Sequence, residues 1–321
     1  MSTEPRFNHF LALGPHGFHR VAYTEWGNAD GLHLVVCVHG LTRNGRDFDE
    51  IAASLADRGC RVACMDVVGR GESDWLEHKQ DYGFAQYLSD AAALLARLTA
   101  PPKRVSLLRR LQGASEGPRI DWVGTSMGGL IGMMLAARRD SPIRRLVLND
   151  VGPMVPWNAL VRLKLAAMGA GRRFASLDEV ERHLRDTCKE FGPLEDRQWR
   201  RLAEHDSRRG EDGAYTLTLD PAVVNSMRRG GSDGVEFGSD FLFGIDLWPT
   251  WDQVECPTLV LRGAQSDLLL ESTVRRMQVG GPRVEFVEFP GVGHAPWLMS
   301  EEQIAPVRDF ILAPEPRKGA A

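Results

Sequence analysis

The sequence predicts an α/β fold, a largely parallel sheet with helices on both faces. Two observations carry this reading: short apolar runs, of strand length, recur along most of the 321 residues, and stretches with apolar spacing near 3.6 lie between them. A third sets the domain plan: from about 153 to 248 the alternation stops, leaving helical patterns with no convincing strand.

In chain order, 18–26 (FHRVAYTEW) alternates apolar and polar residues, as an antiparallel edge strand of a hairpin does. The runs 32–38 (LHLVVCV), 61–65 (RVACM), 120–123 (IDWV), 145–149 (RLVLN), 257–262 (PTLVLR) and 284–288 (VEFVE) supply the sheet. Helices are predicted at about 45–58, 84–99, 127–138, 271–279 and 301–312, and within the long segment at 157–169, 178–190, 195–208 and 221–229. The stretch 100–119, rich in Pro, Gly and Arg, reads as an exposed loop with a short helix, and Pro314–Ala321 as a frayed tail. The organisation expected is a core of 1–152 and 249–321 with a helical insertion at 153–248.

Composition narrows the function classes. With 43% hydrophobic residues, a sizeable core can form without staples. Five cysteines (Cys37, Cys60, Cys64, Cys188, Cys256) at unrelated spacings fit neither a disulfide framework nor a zinc site and read as thiols of a reducing compartment. No basic segment precedes an apolar run at the N-terminus, and no eighteen uncharged apolar residues stand together, so a cytoplasmic protein without membrane partner is expected. A net charge of -4 with both signs interspersed offers no basic stripe, so nucleic acid is not an expected partner.

The chemistry centres on Gly124-Thr125-Ser126-Met127-Gly128, set between an apolar strand and a proline-free helix. G-x-S-x-G in this context is a nucleophile elbow. Small residues are needed at 124 and 128 because the chain reverses sharply while helix packs on strand, leaving Ser126 in a strained conformation with its hydroxyl presented. A serine that attacks an acyl carbon needs N–H donors for the developing oxyanion. Met127 begins the helix, and the turn His39-Gly40-Leu41-Thr42 after strand 32–38 offers Leu41, with Gly40 permitting close approach. His39 is read as a support of that turn.

Serine also needs a general base. In the chain order Ser, acid, His, three histidines follow Ser126. His183 and His205 lie in charged helical patterns and read as solvated. His294, in Phe289-Pro290-Gly291-Val292-Gly293-His294, follows the last strand and is the candidate base. For the acid the first choice is Asp267, four residues beyond the strand 257–262 and its following glycine, and the alternative is Asp150, directly after strand 145–149. The pocket is expected to involve Gly40, Leu41, Asp150, Trp157, Leu160, Met168 and Trp297. Arg43 and Arg162 are weighed as partners for a substrate carboxylate, with surface solvation the favoured reading of each.

With VVCVHGLTRNGRDFD (35–49), RVACMDVVGRGESDW (61–75), LVLNDVGP (146–153), CPTLVLRGAQSD (256–267) and FPGVGHAPW (289–297), the chain from about 18 to 312 resembles the α/β-hydrolase superfamily. The resemblance implies a mixed eight-stranded sheet with a helical cap inserted after the sixth strand, and it is nearest to carboxylesterases, enol-lactonases and carbon–carbon bond hydrolases. It implies an acyl-enzyme on Ser126, a small ester or lactone substrate and no metal or organic cofactor. The motif Asp66-x-x-Gly69-Arg70-Gly71-x-Ser73 resembles a structural loop of the family and receives no catalytic role. A serine in place of an aspartate nucleophile disfavours dehalogenation. A vinylogous-diketone hydrolase, a cofactor-free perhydrolase, a ligand receptor on the same scaffold and a homo-oligomer stay open.

Overall fold

The computed structural model describes residues 4–100, 118–167, 171–226 and 245–314. Eight strands form one sheet in the order β1-β2-β4-β3-β5-β6-β12-β13. These are β1 (Arg6–Gly14), β2 (Gly17–Trp26), β3 (His33–Val38), β4 (Arg61–Met65), β5 (Arg119–Thr125), β6 (Ile143–Asn149), β12 (Thr258–Gly263) and β13 (Val284–Phe289). The first two run antiparallel to their neighbours and the rest are parallel. β1 was not expected: its exposed Phe7, Leu11 and Leu13 give an ambiguous pattern on an edge strand.

The apolar runs are explained by burial on both sheet faces. In β3, Leu34, Val36 and Val38 join one core while Val35 and Cys37 join the other. Helices α1 (Asp49–Ala56) and α10 (Glu301–Leu312) cover the second core through Ile51, Leu55, Val307 and Ile311. Helices α2 (Phe84–Thr99), α3 (Met127–Ala136) and α9 (Glu271–Val279) contribute to the first. Each such fully buried aliphatic side chain is worth about 1.5–3 kcal/mol in transfer free energy. All five cysteines are free thiols, four of them buried.

Between β6 and β12 the chain leaves the sheet. β7 (Met154–Val155) pairs antiparallel with β11 (Ile245–Asp246), tying the two ends of the excursion together. Between them lie α4 (Trp157–Ala167), α5 (Leu177–Thr187), α6 (Asp196–Asp206) and α7 (Pro221–Ser226), and α8 (Trp248–Trp251) follows β11. The expectation of helices without strands needs correction: β8 (Arg173–Phe174), β9 (Ser207–Arg209) and β10 (Tyr215–Leu217) form a three-stranded sheet. Strands of two or three residues are too short to display a period of two. A separate small core of Phe174, Val180, Leu184, Trp199 and Leu202 closes on Trp297. Nearly all of the loop read at 100–119, the last residues of the helix read at 221–229, Met168 and the residues after 314 lie outside the described residues. Among the described residues no helix is long and apolar enough to cross a membrane.

Candidate active site

Ser126 sits between β5 and α3 with φ 52° and ψ -115°, a left-handed conformation that a non-glycine residue rarely adopts. The flanking glycines show why it is tolerated. A Cβ on Gly124 would overlap the backbone of Gly128, and one on Gly128 would overlap the carbonyl of Val38. The bend is further fixed by the Trp122 indole N–H, which donates to the Gly128 carbonyl at 3.0 Å, and by the Ser126 N–H, which donates to Asn149 at 3.0 Å.

His294 places Nε2 at 2.9 Å from Ser126 Oγ and Nδ1 at 2.7 Å from Asp150 Oδ2. An ionised carboxylate can only accept, so Nδ1 carries the proton and the Nε2 lone pair faces the serine hydroxyl. Ser126, His294 and Asp150 are 8%, 4% and 0% exposed, which strengthens their mutual electrostatics.

The carboxylate on His294 is therefore Asp150, and the first choice, Asp267, is corrected. Asp267 points away, into a bidentate pair with Arg162 at 2.7 and 2.5 Å. Burial pushes the Asp267 carboxyl up, but the bond and charge of Arg162 outweigh it and hold the group below its ordinary range. The segment expected to supply the acid instead orients it. Gly263 N–H donates to Asp150 Oδ1 at 2.9 Å, and Ser266 Oγ donates to Oδ2 at 2.6 Å. Sequence order admits both aspartates. Sheet order separates them, because β6 lies directly beside β5, which carries Ser126.

The turn at 39–42 comes against Ser126: a Cβ on Gly40 would lie 3.6 Å from its Cβ. Met127 is the first residue of α3, whose opening N–H groups have no partner within the helix. His39 holds the turn, its Nδ1–H donating to the Gly40 carbonyl at 2.7 Å and its Nε2 accepting from Val67 N–H at 2.9 Å. Burial lowers its pKa to about 3, so it is neutral.

A cavity of about 110 Å³ opens onto Ser126 and His294. That is room for several water-sized groups. Gly40 and Leu41 line it, whereas four other positions expected there do not. Asp150 lies behind His294, Leu160 is buried in the main core with Trp157 packed against it, and Trp297 belongs to the small core. The far wall comes from the β6–β12 excursion, including Leu184, Cys188, Phe191 and Leu219. His183, expected on a solvated face, also lines the cavity, and burial keeps its pKa below the ordinary value. His205 is half-buried, with its pKa lowered to about 4 by burial. These wall positions carried no sequence signal beyond helical spacing.

The two arginines are also committed within the fold. Arg43 is 7% exposed and binds Asp47 (2.6 Å) and Asp206. Because Asp206 ends α6, this pair ties the turn after β3 to the cavity's far wall. Arg162 is half-buried between Asp267 and Glu190.

Comparison with known proteins identifies the family. A model of the alpha/beta hydrolase family matches residues 35–307. A 3-hydroxybutyrate-oligomer hydrolase of Cupriavidus necator is 40% identical over 97% of this chain and 99% of its own length. Among solved structures, an alpha/beta hydrolase from Novosphingobium aromaticivorans aligns over 97% of this chain and 99% of its own, with 33% identity and a TM-score of 0.75. A putative hydrolase from Rickettsia typhi aligns over 96% and 98%, with 25% identity and a TM-score of 0.80. The matched length, the mixed eight-stranded sheet and the serine at its elbow lead to one conclusion: the chain belongs to the α/β-hydrolase family and is a hydrolase.

Proposed function

We propose that this protein hydrolyses short carboxylic esters through an acyl-enzyme on Ser126, with His294 as general base and Asp150 as the acid that orients it. The observation that carries the reading is the continuous relay of 2.9 and 2.7 Å from the strained serine to a buried carboxylate, opening onto a small cavity. The substrate class is an ester of a short hydroxyacyl unit, including a linear oligomer of such units. This choice is supported by the cavity's size and by the 40% identical relative named for 3-hydroxybutyrate oligomers.

In the first step His294 Nε2 takes the Ser126 proton as Oγ attacks the ester carbon. The oxyanion is received by the N–H groups of Leu41 and Met127, and the imidazolium is stabilised by Asp150. Collapse expels the alcohol, which leaves with the proton from Nε2. Water, deprotonated by the same nitrogen, then releases the acid and restores Ser126.

The test compares wild type with Ser126→Ala on a 3-hydroxybutyrate dimer and trimer and on p-nitrophenyl esters of increasing acyl length, with a fluorophosphonate label. Turnover of the oligomers and short esters, abolished in the variant along with the label, is the expected result. Labelling at Ser126 without turnover of any ester would overturn the substrate class and favour a carbon–carbon bond substrate. Turnover that survives in Ser126→Ala would overturn the nucleophile.

A further inference from the structure

The loop after β4 holds a cation that the steps above leave unused. Arg70 is 0% exposed, and among the described residues no carboxylate lies within ion-pair distance of it. Burying a charge without a counterion is costly, and most buried arginines are paired. Its bonds all run to backbone carbonyls and to one sulfur. Nε donates to the Leu41 carbonyl at 2.8 Å, Nη1 donates to the Val68 carbonyl at 2.8 Å, and Nη2 lies 3.5 Å from Met127 Sδ. The guanidinium stacks 4.8 Å from the centre of the Tyr87 ring.

Two of those contacts are with Leu41 and Met127, the residues assigned above as the oxyanion donors. They come from different strand ends, after β3 and β5, and Arg70 bonds to both. The loop is shaped to send it there. Gly69 and Gly71 take φ of 86° and 53°, and a Cβ on Gly71 would overlap the Asp66 carboxylate. Asp66 in turn accepts from Gly45 and Glu72 N–H at 2.7 and 2.9 Å, anchoring the loop. On its outer side the backbone of Arg70 bridges to Leu219 of the cavity wall.

We propose that Arg70 is a positioning residue of the oxyanion site, clamping Leu41 to Met127 from behind and placing an uncompensated positive charge beside the developing oxyanion. Resting on the serine-esterase reading above, it acts without touching substrate, since it does not line the cavity. The conformation of Leu41 is set by the bond to its carbonyl, and with it the aim of its N–H. The cation adds a fixed electrostatic bias that needs no reorganisation during reaction.

The experiment measures kcat and KM for p-nitrophenyl butyrate and for its thionoester in wild type, Arg70→Lys, Arg70→Met and Ser126→Ala, with a thermal melt of each. Sulfur is a weak hydrogen-bond acceptor, so a thionoester draws little from the oxyanion donors. Arg70→Met is expected to lower kcat on the oxygen ester by about 10- to 100-fold, with KM within about threefold, and to lower the thionoester rate at least about threefold less, since the charge still acts on the thiolate whereas the aim of the N–H groups hardly matters to it. Arg70→Lys, which keeps the charge without the fork, should recover part of the difference. Equal losses on both esters, or no loss, would overturn the proposal and leave Arg70 as a packing residue. If Arg70→Met does not fold, the oxygen-to-thiono rate ratio of Arg70→Lys decides by the same criterion. Ester turnover retained in Ser126→Ala would instead overturn the serine reading, whatever Arg70 does.

Discussion

Replacing Asp150 with Asn tests the relay most directly, because the substitution keeps shape and removes charge. With Nδ1 of His294 2.7 Å from Asp150 Oδ2, the imidazolium and carboxylate charge centres are about 4 Å apart, worth roughly 4 kcal/mol at an effective dielectric of 20. At about 1.4 kcal/mol per tenfold, that is close to a thousandfold in kcat. A second effect adds to it. With its oxygen facing Gly263, Asn presents its NH2 group to Ser266 and His294, since Asp150 Oδ2 is the atom those two residues share. Donating to Nδ1, it drives the ring proton onto Nε2, where the serine needs a lone pair. The equivalent exchange in a Ser-His-Asp triad of another fold costs about 10⁴.

A loss of about 10³ to 10⁴ in kcat is therefore expected for Asp150→Asn, with some fall in melting temperature as well, because Ser266 Oγ already accepts from Leu268 and Leu269 N–H and is left facing the new NH2 group. Asp267→Asn is the control. It breaks a pair in which Asp267 is 39% exposed, and exposed pairs are worth about 0–1 kcal/mol, so kcat should fall by less than about threefold. Both variants are assayed on p-nitrophenyl butyrate at pH 7.5. Retention of more than about a tenth of the activity in Asp150→Asn, or a hundredfold loss in Asp267→Asn, would refute the assignment of the acid.

Two further outcomes follow from the same geometry. Gly128→Ala places a methyl group on the Val38 carbonyl, a backbone atom that cannot move aside, so it should cost more than about 4 kcal/mol; recovery of soluble protein melting within a few degrees of wild type would contradict this. The His39 imidazole takes up a proton near 6.5 when unfolded but only near about 3 in the fold, so between those values the unfolded chain binds more protons. Stability is thus fully present above pH 6.5 and lost as pH falls, by up to roughly 4–5 kcal/mol at the acid limit. Because other buried groups such as His205 also titrate in this range and are common to both proteins, the drop in melting temperature from pH 7 to pH 5 should be about 3 to 6 °C smaller in His39→Gln than in wild type. An unchanged drop would remove His39 as the cause.

The relation between sequence and structure differs from element to element. Apolar runs such as 32–38 and 61–65 read directly as strands because both faces of an interior parallel strand are buried, so local composition carries the signal. The elbow is legible for a similar reason: the overlap around Gly124 and Gly128 forbids side chains, and a forbidden side chain is visible as glycine. The edge strand β1 and the two- or three-residue strands of the excursion escape this reading, because half-exposed or very short strands impose little pattern.

The α/β class, the elbow that carries Ser126 and the loop that carries His294 were legible in the sequence, since each depends on local patterns whose spacing is fixed by backbone geometry. The tertiary structure alone decided which aspartate faces His294, that Arg43 and Arg162 are bound to carboxylates of the chain itself, that His183 enters the cavity wall, and that Arg70 lies behind Leu41 and Met127. These are relations between segments that strand order brings together, and chain order holds no record of which strands become neighbours.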